Sequence, residues 1–354
     1  MNIRIKDLAK ELNLSVATIS KALKDSYEIS PETKQRVLAL AKKLNYSPNP
    51  YASSLRKKSS KTIAVVLPEV TDSFFSLAIN GIESIAQEKG FHVLVYLTHE
   101  NLFKEQSILK DFQNGRVDGV LMSVSSETAN HQHILDLCNK GMPLVFFDRV
   151  CEEIHTAKVL TDDFDSGYKA TGHLLDKGCN RIAFLSMGKS LSIINDRLEG
   201  FKKALADKGA APGKHITLDC SADENKTYKL IRKLLTGSQK PDGIIGSVEK
   251  LAITSYSTCK ELGLSIPGDV RIVAFSNLQT ASLLNPSLTT ITQPAFEMGK
   301  TAATILFNAL DKSHFNLKEE RIVIPSTLTE RESTGSADDI SKHRRSIAGR
   351  KSVI

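Results

Sequence analysis

Apolar positions recur along the chain in two rhythms, and the change between them falls near residue 62. Before it, Ile5, Leu8, Ala9 and Leu12 sit at i, i+3, i+4, i+7 and predict an amphipathic helix. Asn13-Leu14-Ser15 breaks that pattern, and Ser15 can N-cap a second helix over 16–23, with Val16, Ile19, Ala22 and Leu23 apolar. "SPETKQRVLALAKKLNY" opens a third with Ser30 as cap and Pro31 in the first helical position; Val37, Leu38, Ala41 and Leu44 are its expected buried stripe. Three short helices with a tight break between the first two predict a helix-turn-helix module.

"NYSPNPYASSLRKKSSKT" follows, with Asn49 a good N-cap and Pro50 behind it. Residues 50–57 make about two helical turns, too short to persist alone in water because nucleation is costly. Leu55 beside Arg56-Lys57-Lys58 is an apolar wedge flanked by phosphate-binding cations, as minor-groove insertion requires. A plain linker rich in Ser, Pro and Lys is an equal reading of the composition.

After residue 62 the rhythm becomes apolar runs of strand length alternating with helices. "TIAVVLPEV", "FHVLVYLT", "VDGVLMSV" and "PLVFFD" are the first strands, and the helices between them end near Gly90, Gly115 and Gly141. Near-continuous apolar strands in this order predict a parallel sheet covered on both faces. The alternation restarts near residue 162 and runs through "RIAFLSM", "DGIIGSV" and "VRIVAFS". The expectation is an α/β body of two doubly wound parallel-sheet lobes. "LTTITQ", "PAFEMGKTAATILFNALDK" and "ERIVIPSTLTER" then cross back between them. The expected division is a DNA-binding head over 1–48, a hinge helix and linker over 49–61, and a body over 62–333. Within the body, one lobe takes about 62–161 plus 291–319 and the other 162–290 plus 320–333. Residues 334–354 are polar and basic without periodicity, and a disordered tail is expected there.

Charge sharpens the reading of the head. Residues 1–61 hold 13 Lys/Arg against 5 Asp/Glu, whereas the remainder holds 34 against 35. A basic excess confined to a periodic segment implies a polyanion partner, most simply nucleic acid. Five scattered cysteines with no CxxC pair suit reduced structural thiols. No apolar run is long enough to span a membrane, and the charged N-terminus lacks a secretory pattern, so a cytoplasmic location is expected. Neither GxGxxG after the first strand nor GxxxxGK[ST] is present, which argues against a nucleotide-dependent enzyme. His131 and His133 at a helix start read as solvated side chains rather than metal ligands. A transport-binding protein would suit the body but not the basic head.

"IKDLAKELNLSVATISKALKDSYEISPETKQRVLALAKKLNYSPNPYASSLR", "LVFFDR", "RLEGFKKAL", "GDVRIVAFSN" and "NPSLTTITQP" together resemble the lactose-repressor family of bacterial transcription regulators, from about Ile3 to Arg331. The resemblance implies a homodimer on a pseudo-palindromic operator, a hinge helix that orders on DNA, and a periplasmic-binding-protein-like body that takes a small-molecule effector. No catalytic residue, metal or cofactor is implied. Carried over by position, Val16, Ala17 and Lys21 are the implied base readers. Val16 and Ala17 suit a thymine methyl and Lys21 a guanine acceptor edge, with packing of Val16 against the first helix the alternative. Ser15, Thr18 and Ser20 are implied phosphate contacts. Asn49, Ala52, Ser53, Leu55 and Arg56 are the implied hinge contacts.

The implied effector cleft comprises Phe74, Phe75, Ser123, Asp148, Arg149, Arg197, Glu249, Ser276 and Asn277, with one of the two phenylalanines expected in the core. Two positions depart from the family pattern. Val248-Glu249 stands where Asn-Asp is common, and Ser276 stands where an aspartate usually grips sugar hydroxyls. Either the effector is not a plain monosaccharide, or Glu249 and Asn277 substitute. With Arg149 and Arg197 nearby, a phosphorylated or acidic sugar stands beside a neutral one as a candidate ligand.

Overall fold

The computed structural model describes residues 3–46, 59–311 and 319–335, apart from positions 189, 212 and 222. The hinge residues Asn49, Ala52, Ser53, Leu55 and Arg56, and the tail from residue 336, lie outside the described residues. The chain divides into two compact units, residues 1–60 and 61–354.

The first unit holds α1 (Ile5–Leu12), α2 (Val16–Leu23) and α3 (Pro31–Lys43). The break between α1 and α2 is two caps in succession. Asn13 adopts a left-handed backbone (φ 51°) and closes α1, then the Ser15 hydroxyl accepts the Thr18 N–H at 3.0 Å and opens α2. Ser30 caps α3 in the same way, accepting from Thr33 N. Leu8, Ala9, Ile19, Ala22, Val37, Leu40 and Ala41 form the core. Leu38, expected in that core, is 53% exposed. Val37, Leu40, Ala41 and Leu44 occupy one helical face at i, i+3, i+4, i+7, and Leu38 falls on the next.

In the second unit, the chain forms β1 (Thr62–Leu67), α4 (Ser73–Glu88), β2 (His92–Leu97), α5 (Leu102–Phe112), β3 (Gly119–Met122), α6 (Gln132–Asn139), β4 (Leu144–Phe147) and β5 (Lys158–Thr161). It continues with α7 (Asp163–Asp176), β6 (Ile182–Met187), α8 (Ser192–Asp207), β7 (Ile216–Cys220), α9 (Glu224–Thr236), β8 (Gly243–Gly246), α10 (Glu249–Leu262) and β9 (Arg271–Phe275). β10 (Thr289–Thr292), α11 (Ala295–Leu310), β11 (Arg321–Ile324) and β12 (Thr327–Thr329) complete it.

Two six-stranded sheets result, ordered β11-β5-β4-β3-β1-β2 and β12-β10-β9-β8-β6-β7, parallel throughout except where β12 runs antiparallel to β10. Each has a buried cluster on both faces. The edge strand β2 departs from full coverage, since Leu94 and Val95 are exposed. The returns between lobes also fall later than expected. β10 stays in the second sheet through Thr292, so the first return is at Gln293-Pro294 rather than 290–291. β11 pairs with β5 in the first sheet and only β12 joins the second, which moves the next return from 319–320 to Pro325-Ser326. "ERIVIPSTLTER" is two strands because Pro325 has no N–H to continue a ladder.

Candidate functional site

The C-terminal ends of β1, β3, β4, β6, β8 and β9 face one another across the lobes, which is where ligands enter open α/β sheets. A cavity of about 30 Å³ lies there, lined on one side by Asp72, Phe74, Phe75, Asp148 and Arg149, and on the other by Arg197, Phe275, Ser276 and Asn277 among others. Seven of the nine expected cleft residues therefore converge. Ser123 and Glu249 do not line this cavity. Ser123 stands behind Asp148, with its hydroxyl 3.3 Å from Asp148 Oδ2. Glu249 accepts from the Ser276 hydroxyl (2.6 Å) and, across the lobes, from the Ser73 hydroxyl (2.5 Å), so its carboxylate ties the two lobes together.

Arg197 is placed by a close helix crossing. Added Cβ atoms on Gly167 and Gly200 would come within 2.1 Å of Arg197 O and 2.0 Å of Phe164 O, so only glycine at these two positions lets α7 and α8 meet this closely. At that approach, Arg197 Nε donates to Asp163 Oδ1 (2.7 Å), its Nη1 donates to Ser247 O (2.7 Å), and its guanidinium lies 4.1 Å from the Phe275 ring centre. Arg197 is 2% exposed, and its Nη2 has no partner among the described residues. Asn277 donates to Gln293 O at 2.6 Å, and its Oδ1 is likewise without a partner among the described residues. Arg149 Nε, on the same lining, also has no hydrogen-bond partner among the described residues, so two buried donors and one buried acceptor are open, a state that favours a ligand with both kinds of group.

The charges are matched in pairs. Arg149 Nη1 donates to Glu100 Oε1 at 2.7 Å. Burial opposes ionisation of Glu100, yet Arg149 holds its carboxyl below the usual range. Burial pushes the Asp163 carboxyl up while Arg197 pulls against it. Asp148, in a left-handed backbone conformation (φ 62°), is pushed up to about 7 by burial, against the pull of Arg149 and Arg197. Asp72 caps α4 by accepting from Phe74 N (2.9 Å), and burial and Glu249 raise its carboxyl. Phe74 and Phe75 are both buried and both line the cavity, edge to face with centroids 5.3 Å apart. The expected split into one core and one ligand ring is not what forms.

Asp72, Phe275 and Gln293 line the cavity and were not expected there. Strand-end position was the available signal for Phe275 and Gln293, and the cap position before Phe74 was the signal for Asp72. The two histidines are not solvated either. His131 contacts Glu153 at 3.1 Å and Cys151 Sγ at 3.4 Å, and His133 contacts the fully buried Glu105 at 2.8 Å. Burial pushes the Cys151 thiol up to about 12, which suits an unreactive cysteine.

In the first unit, Ala17 and Lys21 are exposed one turn apart on α2, and Lys21 is ion-paired with Glu28. Val16 is half-buried and packs against the helical core, so the packing alternative has support at that position. Ser15 and Thr18 hydroxyls lie 2.8 Å apart and are engaged in the cap, while Ser20 is half-buried. Tyr27, 94% exposed in the turn after α2, is an unexpected candidate for the same face.

The family described as bacterial regulatory proteins, lacI family, matches residues 4–49, and a periplasmic binding protein-like domain matches residues 171–334. The chain is 30% identical to a ribose operon repressor of Halalkalibacterium halodurans, covering 95% of this chain and 98% of that one. It is also 30% identical to the HTH-type transcriptional repressor PurR of Photobacterium profundum, over 90% of this chain and 97% of the relative. Among solved structures, a LacI family transcriptional regulator from Enterococcus faecium with bound ribose matches 77% of this chain and 98% of its own length, at 29% identity and TM-score 0.70. A lac repressor dimer bound to operator and an anti-inducer shares the fold, with TM-score 0.81 at 21% identity over 95% of this chain and 100% of that one.

Proposed function

The chain belongs to the lacI family of bacterial regulatory proteins, and from that premise we propose that it is a dimeric repressor whose grip on a pseudo-palindromic operator is set by a neutral sugar held between its lobes. It is a sequence-specific DNA-binding transcriptional regulator and not an enzyme. The exposed Ala17–Lys21 face of α2 is the reading surface. Lys21 exchanges Glu28 for a guanine edge on binding. A repressor works where the chromosome is, which places it in the bacterial cytoplasm. No helix among the described residues is long and apolar enough to cross a membrane.

The observation that carries the effector class is the pairing of both cleft arginines. Arg149 has Glu100 and Arg197 has Asp163, so no cationic charge is left over for a phosphate or carboxylate. An anionic ligand would instead approach Asp72 and Asp148. A sugar hydroxyl offers both the acceptor that Arg197 Nη2 lacks and the donor that Asn277 Oδ1 lacks. The effector acts by binding one lobe arrangement better than the other, because equal affinity shifts nothing.

The test begins with selection of genomic fragments by the full chain. Anisotropy titrations of the selected duplex follow, at several salt concentrations and with neutral sugars or their phosphates added. Affinity should fall steeply with salt, with about 6–10 phosphates neutralised, and a neutral sugar should shift it. Tighter binding of the phosphates would reverse the effector assignment. Lys21→Ala should lose about 1–3 kcal/mol of discrimination at one symmetric base-pair position. Equal loss on every duplex would make Lys21 a phosphate contact.

A further inference from the structure

Residues 1–61 carry five acidic side chains in a segment that must approach phosphates. Three of them support the fold. Asp7 accepts from Arg4 N (2.8 Å) at the start of α1, Glu32 sits in the first turn of α3, and Asp25 pairs with Lys34 (2.7 Å). Glu28 caps no helix, since Ser30 opens α3. Its carboxylate instead meets the ammonium of Lys21, the base reader of α2.

The meeting is set by how α2 ends. Asp25 takes a left-handed backbone (φ 55°), its N–H donates to Ala22 O (3.1 Å), and the Ser26 N–H donates to Lys21 O (3.0 Å). This paired closure of the last turn folds the chain back to the level of Lys21. The Glu28 N–H then donates to the Ser26 hydroxyl (3.4 Å) and the Ile29 N–H to Ser26 O (3.3 Å). Lys34 of α3 clamps the bend by donating to Asp25 O (3.3 Å). A fixed turn therefore presents Glu28 to the side chain seven residues earlier.

For stability the contact has little value, because the two side chains are 48% and 47% exposed and exposed pairs contribute little. On DNA it carries a cost. Once Lys21 turns to a guanine, an uncompensated carboxylate is left among phosphates. A base-edge donor removes that cost. In a G·C pair, guanine O6 and the cytosine N4–H are hydrogen-bonded to each other. The acceptor for Lys21 and the donor for Glu28 thus lie side by side in the major groove. In the inverted C·G pair they change places. A lysine alone can swing to the guanine of either strand, because its head is a point donor on a flexible stem. With a carboxylate beside it, that swing would turn Glu28 onto O6.

We infer that Glu28 is a specificity-determining residue: it accepts from the N4–H of the cytosine paired with the guanine that Lys21 reads, and so fixes which strand carries the guanine. The inference rests on Lys21 as a base reader and extends that reading to the turn after α2.

Anisotropy titrations of the full-length protein on the selected duplex, and on duplexes with each base pair substituted symmetrically, test it. Lys21→Ala first marks the position it relaxes. At that position Glu28→Ala should lower the preference for G·C over C·G by about tenfold, while affinity for non-specific DNA is kept or rises. Retained non-specific binding also shows that the variant head folds. Glu28→Gln, whose amide oxygen still accepts, should keep the preference within about threefold of wild type. If Glu28→Ala and Glu28→Gln tighten every duplex by one common factor, Glu28 acts through its charge alone and the inference is overturned. Relaxation at a position other than that of Lys21 overturns it as well. Both of these results leave Lys21 a base reader. Uniform loss in Lys21→Ala removes that reading and the inference with it.

Discussion

Arg197→Met separates two jobs assigned to one side chain: closing the α7–α8 contact and offering a donor to the ligand. Methionine keeps much of the aliphatic stem but removes the guanidinium. Asp163 is then left buried without the Nε donor now 2.7 Å away, and Ser247 O loses its 2.7 Å donor as well. Both members of the pair are nearly inaccessible, at 2% and 4% side-chain exposure, so solvent screens little of the loss. Deleting one partner of a buried pair costs about 3–5 kcal/mol, out of a total near 5–15 kcal/mol for a folded domain. The guanidinium also leaves the Phe275 face, 4.1 Å away, a contact worth on the order of 1 kcal/mol.

Asp163→Asn/Arg197→Met removes both charges and should recover most of that loss, because neutral groups in place of a buried pair are often tolerated. Urea unfolding of the wild type, both single variants and the double variant completes the cycle. The chain has no Trp, so circular dichroism is the practical probe. A coupling of about 2–3 kcal/mol is expected. Losses that add within about 0.5 kcal/mol would refute the claim that the pair acts as a unit. Effector binding divides the roles: the double variant should be stable yet still fail to bind sugar, since no group replaces Nη2. Sugar binding by the double variant at wild-type affinity would remove Arg197 from the ligand site.

Gly167→Ala should destabilise by about 1–3 kcal/mol and weaken effector binding, because its Cβ would lie 2.1 Å from the Arg197 carbonyl oxygen. Gly172→Ala, on the same helix with nothing within 4 Å of the new Cβ, should be neutral or gain up to about 1 kcal/mol, and thermal melts compare the two. Asp148 gives a pH signature. Its carboxyl is raised from 3.8 to about 7 in the folded chain, so the stability it contributes is complete below 3.8 and lost as pH rises toward 7. Wild type should therefore lose up to about 1.4 kcal/mol per pH unit across that window relative to Asp148→Asn. Parallel stability profiles for the two proteins would contradict the assignment.

The parts of this molecule that the sequence discloses are those governed by short-range rules. The break at Asn13-Leu14-Ser15 was readable because a C-cap and an N-cap are local chemistry, and α1, α2 and α3 form where periodicity and caps agree. Leu38 was misplaced by one helical position, an error that a run of adjacent apolar residues invites. The strand-end residues Asp148 and Arg149 were found because a parallel sheet directs its loops to one end, and Arg197, inside α8, was found through the family resemblance alone. Their partners were not. Glu100 reaches Arg149 across 49 residues and Asp163 reaches Arg197 across 34, and only topology brings them together. Without those partners, two arginines in a cleft suggest an anionic ligand; with them, the same arginines suggest a neutral one.

The position of Ser276 extends the same reasoning. An aspartate is the family's usual group there, and its absence raised the possibility that Glu249 supplies the missing carboxylate to the ligand. Glu249 is nearby, but Oε2 already accepts from Ser276 on its own lobe and from Ser73 on the other. A carboxylate committed to both lobes makes closure favourable instead of gripping a hydroxyl. The demand for an acceptor near the ligand then falls to Asn277, whose Oδ1 is open while its amide is anchored on Gln293 O. An amide acceptor is weaker than a carboxylate. A ligand gripped this way would need further contacts to reach the same affinity, and Arg197 Nη2, open on the same cavity, is the donor placed to supply one.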